Sequence, residues 1–202
     1  GTAENLQKFV KNGGQLLATY FTGYVDKDTL CYLGGFPGDG LAELFGVISE
    51  EIDTLYPSDR NSLCFLDGKK WTVYDYAEIL RVQDAQILAS YGTDFYEGSA
   101  ALTVKEWESD THTGENGRAY YIAARVAPEE MGSLFETMLA NAGIAVKDLP
   151  GEVEYHQRQG EDTTYEFYLN HGKEKSLIKN VTGRNLLTGE DINETLSLAA
   201  YD

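Results

Sequence analysis

The sequence predicts an α/β domain followed by a small antiparallel β domain, and three observations support this fold class. A helix-like segment at the start of the chain leads directly into an apolar run typical of a buried strand. A second apolar run, "RAYYIAARV", is followed by another helix-like segment. After the Pro-Gly pair at 150–151, short strand-like segments follow one another with no helical pattern between them. We therefore expect domains at residues 1–148 and 149–202.

The first helix and strand predict a sheet that is covered on both faces. Residues 3–12 place Leu6, Phe9 and Val10 on one helical face, and the Asn-Gly-Gly sequence at 12–14 supplies a left-handed stop. The run "QLLATYF" that follows is typical of parallel strands with helices on both sides. A parallel sheet normally needs an earlier strand to feed this helix. We therefore expect a piece of a longer protein, whose α/β domain lacks its first strand here.

A glycine-rich loop, "GGFPGDGLAELFG", leads into a short helix for which Asp39 is the expected cap and Gly46 the expected end. Glycine-rich loops before helices often bind phosphate. This one lacks the Gly-Lys-Ser/Thr ending of a P-loop and the spacing of a dinucleotide fingerprint. The sequence therefore predicts an ordinary connection and no phosphate site.

Residues 47–107 predict a strand-rich region, in which Asp67-Gly68 separates the two arms of a hairpin. After the polar turn "ESDTHTGENG" and the second buried strand, Pro128 marks the start of another helix and Gly143 its end. The expected apolar stripe of this helix consists of Met131, Leu134, Phe135, Met138 and Leu139.

Composition excludes several classes of partner. The formal net charge is −17, and binding to nucleic acid or to an anionic membrane relies on Lys and Arg that neutralise phosphates. No apolar run approaches the roughly 20 residues that a membrane-spanning helix needs. Solubility in a bacterial-type cytoplasm explains the charge, so we expect a cytoplasmic protein that binds neither nucleic acid nor membranes.

Candidate nucleophiles and metal ligands do not fit the patterns that their chemistry needs. Cys31 and Cys64 lie in apolar stretches and outside any tight strand-to-helix turn, so we expect buried thiols that are not nucleophiles. His112, His156 and His171 share no metal-ligand spacing. We expect no catalytic residue, no cofactor and no metal in this chain.

The segment "TTYEFYLN" places Tyr165, Phe167 and Leu169 on one face of a strand that ends in an Asn-His-Gly turn. His171 is therefore expected at an exposed hairpin tip without a convergent partner. The dipeptide Asn193-Glu194 copies one seen at the acid/base position of barrel glycosidases, but no barrel surrounds it, and we interpret it as a coincidence.

Several segments together resemble one enzyme family. The stretch "AENLQKFVKNGGQLLATYFTGYVDKDTLCYLGGFPGDGLAELFGV" resembles the middle, trimerisation domain of glycoside hydrolase family 42 β-galactosidases. "ENGRAYYIAAR" with its Pro-Glu-Glu helix resembles the last strand and helix of that domain. "YEFYLNHGKEKSLI" and "NLLTGE" resemble the small C-terminal β domain of the family. Their order and spacing, rather than any single motif, carry the resemblance.

The resemblance implies a retaining β-galactosidase that cleaves terminal β-D-galactosides, with both catalytic glutamates on a TIM barrel upstream of residue 1. It also implies a flavodoxin-like, glutamine-amidotransferase-like fold for the first domain, without amidotransferase chemistry. The second domain is expected to be β-sandwich-like. The implied partners are the chain's own barrel and further copies of the chain in a trimer.

Two alternatives remain open at this point. The α/β pattern with Cys and His is also found in stand-alone amidotransferase-like (ThuA-like) proteins. The aromatic content, with 14 Tyr and with Trp71 and Trp107, would suit a sugar-binding accessory module.

Overall fold

The chain folds into two compact units in a computed structural model, which describes residues 1–109 and 116–201. The first unit spans Gly1–Ala145 and the second Val146–Asp202. The sequence-based division lay slightly later, between 148 and 149. Within the second unit, the ammonium group of Lys147 donates hydrogen bonds of 2.7 Å to Glu166 Oε1 and Tyr168 Oη. His112 lies outside the described residues.

The described residues of the first unit form three α-helices, one short 3₁₀ helix and a single large sheet. Its helices are α1 (Thr2–Lys11), α2 (Leu41–Phe45), the 3₁₀ helix (Pro128–Met131) and α3 (Gly132–Asn141). Its strands are β1 (Gln15–Thr19), β2 (Val47–Thr54), β3 (Asn61–Phe65), β4 (Lys70–Val82), β5 (Gln86–Tyr91), β6 (Ala100–Trp107), β7 (Gly117–Ile122) and β8 (Ala124–Val126).

The sheet is mixed, with the strand order β1-β7-β6-β5-β3-β4-β2 and with β8 paired to β4. Among the described residues, β1 and β7 form the only parallel pair, and every other pairing in this sheet is antiparallel. The predicted Asp67-Gly68 hairpin is present as the β3–β4 connection, where Gly68 has a φ of +87°. A purely parallel α/β sheet is therefore excluded for the described residues.

Helices cover the parallel pair on both faces, as the apolar runs predict. Ala119 and Tyr121 of β7 pack in one hydrophobic cluster with α1 and α2. Tyr120 and Ile122, which alternate with them, pack in a second cluster with Leu134 and Met138 of α3. Because successive strand residues point to opposite faces, β7 is buried on both sides and has no polar face.

Two apolar side chains and one cap differ from the sequence prediction. Phe9 is 51% exposed, because its ring lies over Gly14 at the end of α1 rather than in the core. Phe135 is 43% exposed on the outer side of α3. Asp39 does not cap α2. Gly40 is the N-cap residue, in a left-handed conformation with a φ of +81° and no side-chain hydrogen bond.

Over residues 146–201, the second unit forms three two-stranded antiparallel ladders, in agreement with the predicted antiparallel module. The ladders pair β9 (Val153–Gln159) with β10 (Thr164–Asn170), β11 (Ser176–Lys179) with β14 (Thr195–Leu198), and β12 (Gly183–Arg184) with β13 (Asp191–Ile192). The core is small and consists of Ile178, Val181, Leu196 and Leu198. The apolar face of β10 that the alternation predicts is the solvent-exposed one, with Tyr165, Phe167 and Leu169 between 38% and 50% exposed.

Candidate functional site

The two cysteines do not form a nucleophile site with any described group. Cys31 is exposed, so the prediction of a buried thiol is wrong for it. It lies in a protruding loop, where an isolated bridge pairs it with Val25. Cys64 is half-buried in β3, with its sulfur 3.5 Å from Ser62 Oγ. Both thiols are free, and His156 and His171 belong to the other unit.

His171 has a convergent partner, contrary to the sequence prediction. Its Nε2 lies 2.7 Å from Glu154 Oε2, and Nε2 of His156 lies 2.5 Å from Glu154 Oε1. Both hydrogen bonds lower the pKa of the Glu154 carboxyl, and the one from His171 contributes most. The β9–β10 register explains the meeting, because Glu154 pairs with Leu169 beside the turn that carries His171. All three side chains are exposed, so the cluster fastens a turn rather than lining a cleft.

The two tryptophans do not present a free stacking surface for sugars. Trp71 is 2% exposed and packs edge-on against Phe65. Trp107 is partly buried, donates its indole N–H to Leu44 O at 3.0 Å, and has the ammonium groups of Lys11 and Lys105 at 5.0 and 4.4 Å from its ring centroid. A sugar ring stacked on Trp107 would have to displace these cations.

An open cleft of about 740 Å³ lies on the α3 face of the sheet, between α3 and the β3–β4 hairpin. Three carboxylates line it, those of Asp67, Asp84 and Glu106. Two of them are ion-paired, because Asp84 lies 2.8 Å from Lys105 and Glu106 lies 3.4 Å from Arg118. A glycosidase needs one free carboxyl acid and one free carboxylate that face each other. With two of its three carboxylates ion-paired, the cleft does not present this pair of free carboxyl groups.

Glu78 on β4 differs from the other described carboxyl groups because it is fully buried. Its Oε1 accepts a hydrogen bond of 2.6 Å from the backbone N–H of Phe21, and its Oε2 accepts one of 2.8 Å from the hydroxyl of Tyr121. The hydroxyl of Tyr91 points to the carbonyl oxygens of Glu78 and Ala123, each at 3.0 Å. Burial raises the pKa of Glu78 to about 7, and the hydrogen bonds from Phe21 and Tyr121 oppose this increase only in part.

This carboxyl lies near the carboxyl ends of the parallel strands β1 and β7, where α/β folds usually bind ligands. Phe21 lies just beyond the carboxyl end of β1, and Ala123 just beyond that of its parallel partner β7. Ligands of open α/β sheets bind outside the carboxyl ends of such strands. Here the position is filled by the chain itself, since the Phe21 N–H and the Tyr121 hydroxyl both donate to the carboxyl of Glu78.

Sequence reasoning missed Glu78. The available signal was an acidic residue in the apolar segment "YAEIL" of a strand, and alternation alone would place it on a solvated face. Only the tertiary structure shows that β7, β5 and the loop after β1 all close over it.

Among the described residues, no group of three or more His, Cys, Asp or Glu side chains could hold a metal ion. In the part of the chain that the structure describes, the helices are also too short or too polar to cross a bilayer.

The two units correspond to two domains of one class of enzyme, the β-galactosidases. The sequence model of the β-galactosidase trimerisation domain matches residues 1–145, and that of the β-galactosidase C-terminal domain matches residues 152–202. The chain therefore belongs to the glycoside hydrolase family 42 β-galactosidases, of which it contains these two domains and not the catalytic one.

Relatives in sequence and structure agree with this assignment. β-Galactosidase Pbg of Clostridium perfringens is 33% identical over all of this chain, and BglY of Alicyclobacillus acidocaldarius is 36% identical over 84% of it. The solved structure of Gan42B, a GH42 β-galactosidase, superposes over the whole chain with a TM-score of 0.87 at 31% identity. This chain spans 30% of the Clostridium relative, 25% of the Alicyclobacillus relative and 29% of the Gan42B chain.

Proposed function

We propose that this chain is the non-catalytic assembly and C-terminal region of a cytoplasmic β-galactosidase that hydrolyses terminal β-D-galactosides. The observation that carries the proposal is the match of two non-catalytic domains of the family, in order, along the chain. In this proposal no residue of the chain is catalytic, and the two catalytic glutamates lie on a TIM barrel that precedes it in the full-length enzyme. The ion-paired carboxylates of the cleft support this part of the proposal.

The proposed role of the first unit is to hold copies of the enzyme in a trimer. A ring of three identical subunits needs two different, complementary surfaces on each subunit. The loop between β1 and α2 supports such a role because it exposes apolar side chains, with Leu30 at 65% and Leu33 at 101% of full exposure. Exposed apolar clusters of this kind are common at protein contacts.

We further propose that the first unit is a flavodoxin-like, amidotransferase-like domain from which one strand is absent. The parallel pair covered by helices on both faces supports this fold. Strand β1 is an edge strand, yet its Leu16 and Leu17 pack against core clusters on opposite faces of the sheet. Such packing on both faces is typical of an interior strand, which would have a second parallel neighbour. The second unit is proposed to be β-sandwich-like, with the domain boundary between residues 148 and 149.

The purified chain and the full-length enzyme, at equal molar concentration, should differ completely in activity on a chromogenic β-galactoside. We expect turnover by the full-length enzyme and only the blank rate with this chain, because the reacting carboxyl groups are on the barrel. Heat-sensitive turnover by the chain alone would refute the proposal. A full-length enzyme that is active on other glycosides but not on β-galactosides would refute the substrate class only.

A further inference from the structure

The carboxyl of Glu78 connects three parts of the first unit that are distant in sequence. It lies on β4, it accepts a hydrogen bond from Tyr121 on β7, and it accepts another from Phe21 at the start of the loop formed by residues 20–40. Phe21 has a φ of +63°, a left-handed conformation that costs energy for a bulky residue. The loop therefore begins in a strained geometry that the hydrogen bond to Glu78 helps to maintain.

The surroundings of Glu78 favour a neutral carboxyl. A carboxylate has about four acceptor positions, and Phe21 and Tyr121 fill two of them. The titratable groups that face the pocket from the packed elements are Tyr121 of β7, Tyr91 of β5 and, one contact further, Tyr96 with its partner Asp53 of β2. None of these four groups is a cation, so none of them offsets the loss of hydration that ionisation imposes on a buried carboxyl.

The 20–40 loop is bonded to itself and, near its other end, to β2, where Ser49 N–H donates to Phe36 O at 2.7 Å, so Glu78 holds only the start of the loop. Its own contacts close it on itself, with Gly38 N–H donating to Gly23 O at 2.9 Å and Tyr32 N–H donating to Tyr24 O at 3.3 Å. At its base, the ring of Phe21 contacts those of Tyr20, Tyr24 and Tyr76 at centroid distances between 5.3 and 5.7 Å. Withdrawal of Phe21 from the pocket would let water reach Glu78.

We propose that Glu78 is a proton-dependent latch, whose neutral carboxyl keeps the start of the 20–40 loop packed against β4 and whose ionisation favours release of that start. The direction follows from linkage: a carboxyl that binds its proton more tightly in the closed state stabilises that state below its ordinary titration range. This contribution is lost as the pH rises through about 7, where the pKa of the closed pocket lies.

Hydrogen exchange of the full-length enzyme, read on peptides that cover residues 18–24 and corrected for intrinsic exchange, tests the latch. Between pH 6 and pH 8 we expect the opening constant of this segment to rise about tenfold in the wild type. The reason is that the Glu78 carboxyl has its ordinary pKa in the open state and a pKa of about 7 in the closed state. Glu78→Gln keeps the shape without the charge, so its opening constant should not change with pH. Glu51→Gln, an exposed position on β2, should behave as the wild type.

A second variant keeps the test decisive if Glu78→Gln folds poorly. Tyr121→Phe removes a donor that favours the ionised carboxyl in the closed state, so the rise in opening should continue to a higher pH before it levels off. A purely structural role of Tyr121 would change the opening constant equally at every pH. The proposal is overturned if the wild type shows no rise between pH 6 and pH 8, or if Glu78→Gln shows the same rise.

Discussion

Replacing Gly117 by Ala should lower the free energy of unfolding of the first unit by about 3 kcal/mol, in the range expected for an overpacked core site. A Cβ at position 117 would lie 1.8 Å from the carbonyl oxygen of Val10 and 2.7 Å from its carbonyl carbon. Both atoms belong to backbone in the last turn of α1, so no side-chain rotation relieves the clash. The helix must move away from β7, and the cluster of Val10 with Ala119 and Tyr121 must loosen.

The matched control is Gly132→Ala at the start of α3, where a Cβ meets nothing within 4 Å and the backbone is already helical. Alanine there should be neutral or stabilise by about 0.5–1 kcal/mol. Thermal unfolding followed by tryptophan fluorescence reports the first unit alone, because Trp71 and Trp107 are the two tryptophans of the chain. Equal midpoints for the two variants would mean that α1 is not held against β7 as described.

Replacing Asn170 by Ala should destabilise the second unit by about 2–4 kcal/mol, since it removes several buried hydrogen bonds at once. Asn170 is 1% exposed. Its amide group donates to Glu174 O at 2.8 Å and to Ala199 O at 2.6 Å, and its Oδ1 accepts from Gly172 N–H at 3.0 Å. One side chain thereby joins the end of β10, the following turn and the last residues of the chain.

Two further variants separate hydrogen bonding from shape at this site. Asn170→Asp keeps the size and the acceptor but turns a carboxylate oxygen toward two carbonyls, so it should be as damaging as Ala. Asn193→Ala, at an exposed position, should change little. Hydrogen exchange of peptides from β9 to β14 measures the effect, while the tryptophan transition stays unchanged. An Asp variant as stable as the wild type would contradict the bonding pattern.

The elements of this fold that could be predicted from sequence are those fixed by local patterns. The apolar runs at β1 and β7, the turn at Gly68 and the stop at Gly143 each depend on neighbouring residues, and all are present. The short strands β12 and β13 have no such local pattern, because two residues carry no periodicity. Strand order was also beyond local patterns, and the antiparallel part of the sheet depends on contacts distant in sequence.

The surroundings of individual side chains also depend on contacts that local sequence patterns do not determine. An apolar stripe in the sequence predicts burial for every member, yet Phe9 and Phe135 are exposed in the structure. Glu154 meets His156 and His171 because of the β9–β10 register, which periodicity does not determine. Glu78 is buried by three elements that only the tertiary fold brings together, so its pKa of about 7 has no counterpart in the sequence pattern.

The most direct test of the central claim, that this chain supports catalysis carried out elsewhere, is to locate the catalytic nucleophile. A retaining galactosidase forms a covalent glycosyl-enzyme intermediate, which a 2-fluoro galactosyl reagent traps. After proteolysis of the labelled full-length enzyme, mass spectrometry should find the sugar on a glutamate outside these 202 residues. A sugar attached to any carboxylate of this chain, such as Glu78 or Glu194, would contradict the account.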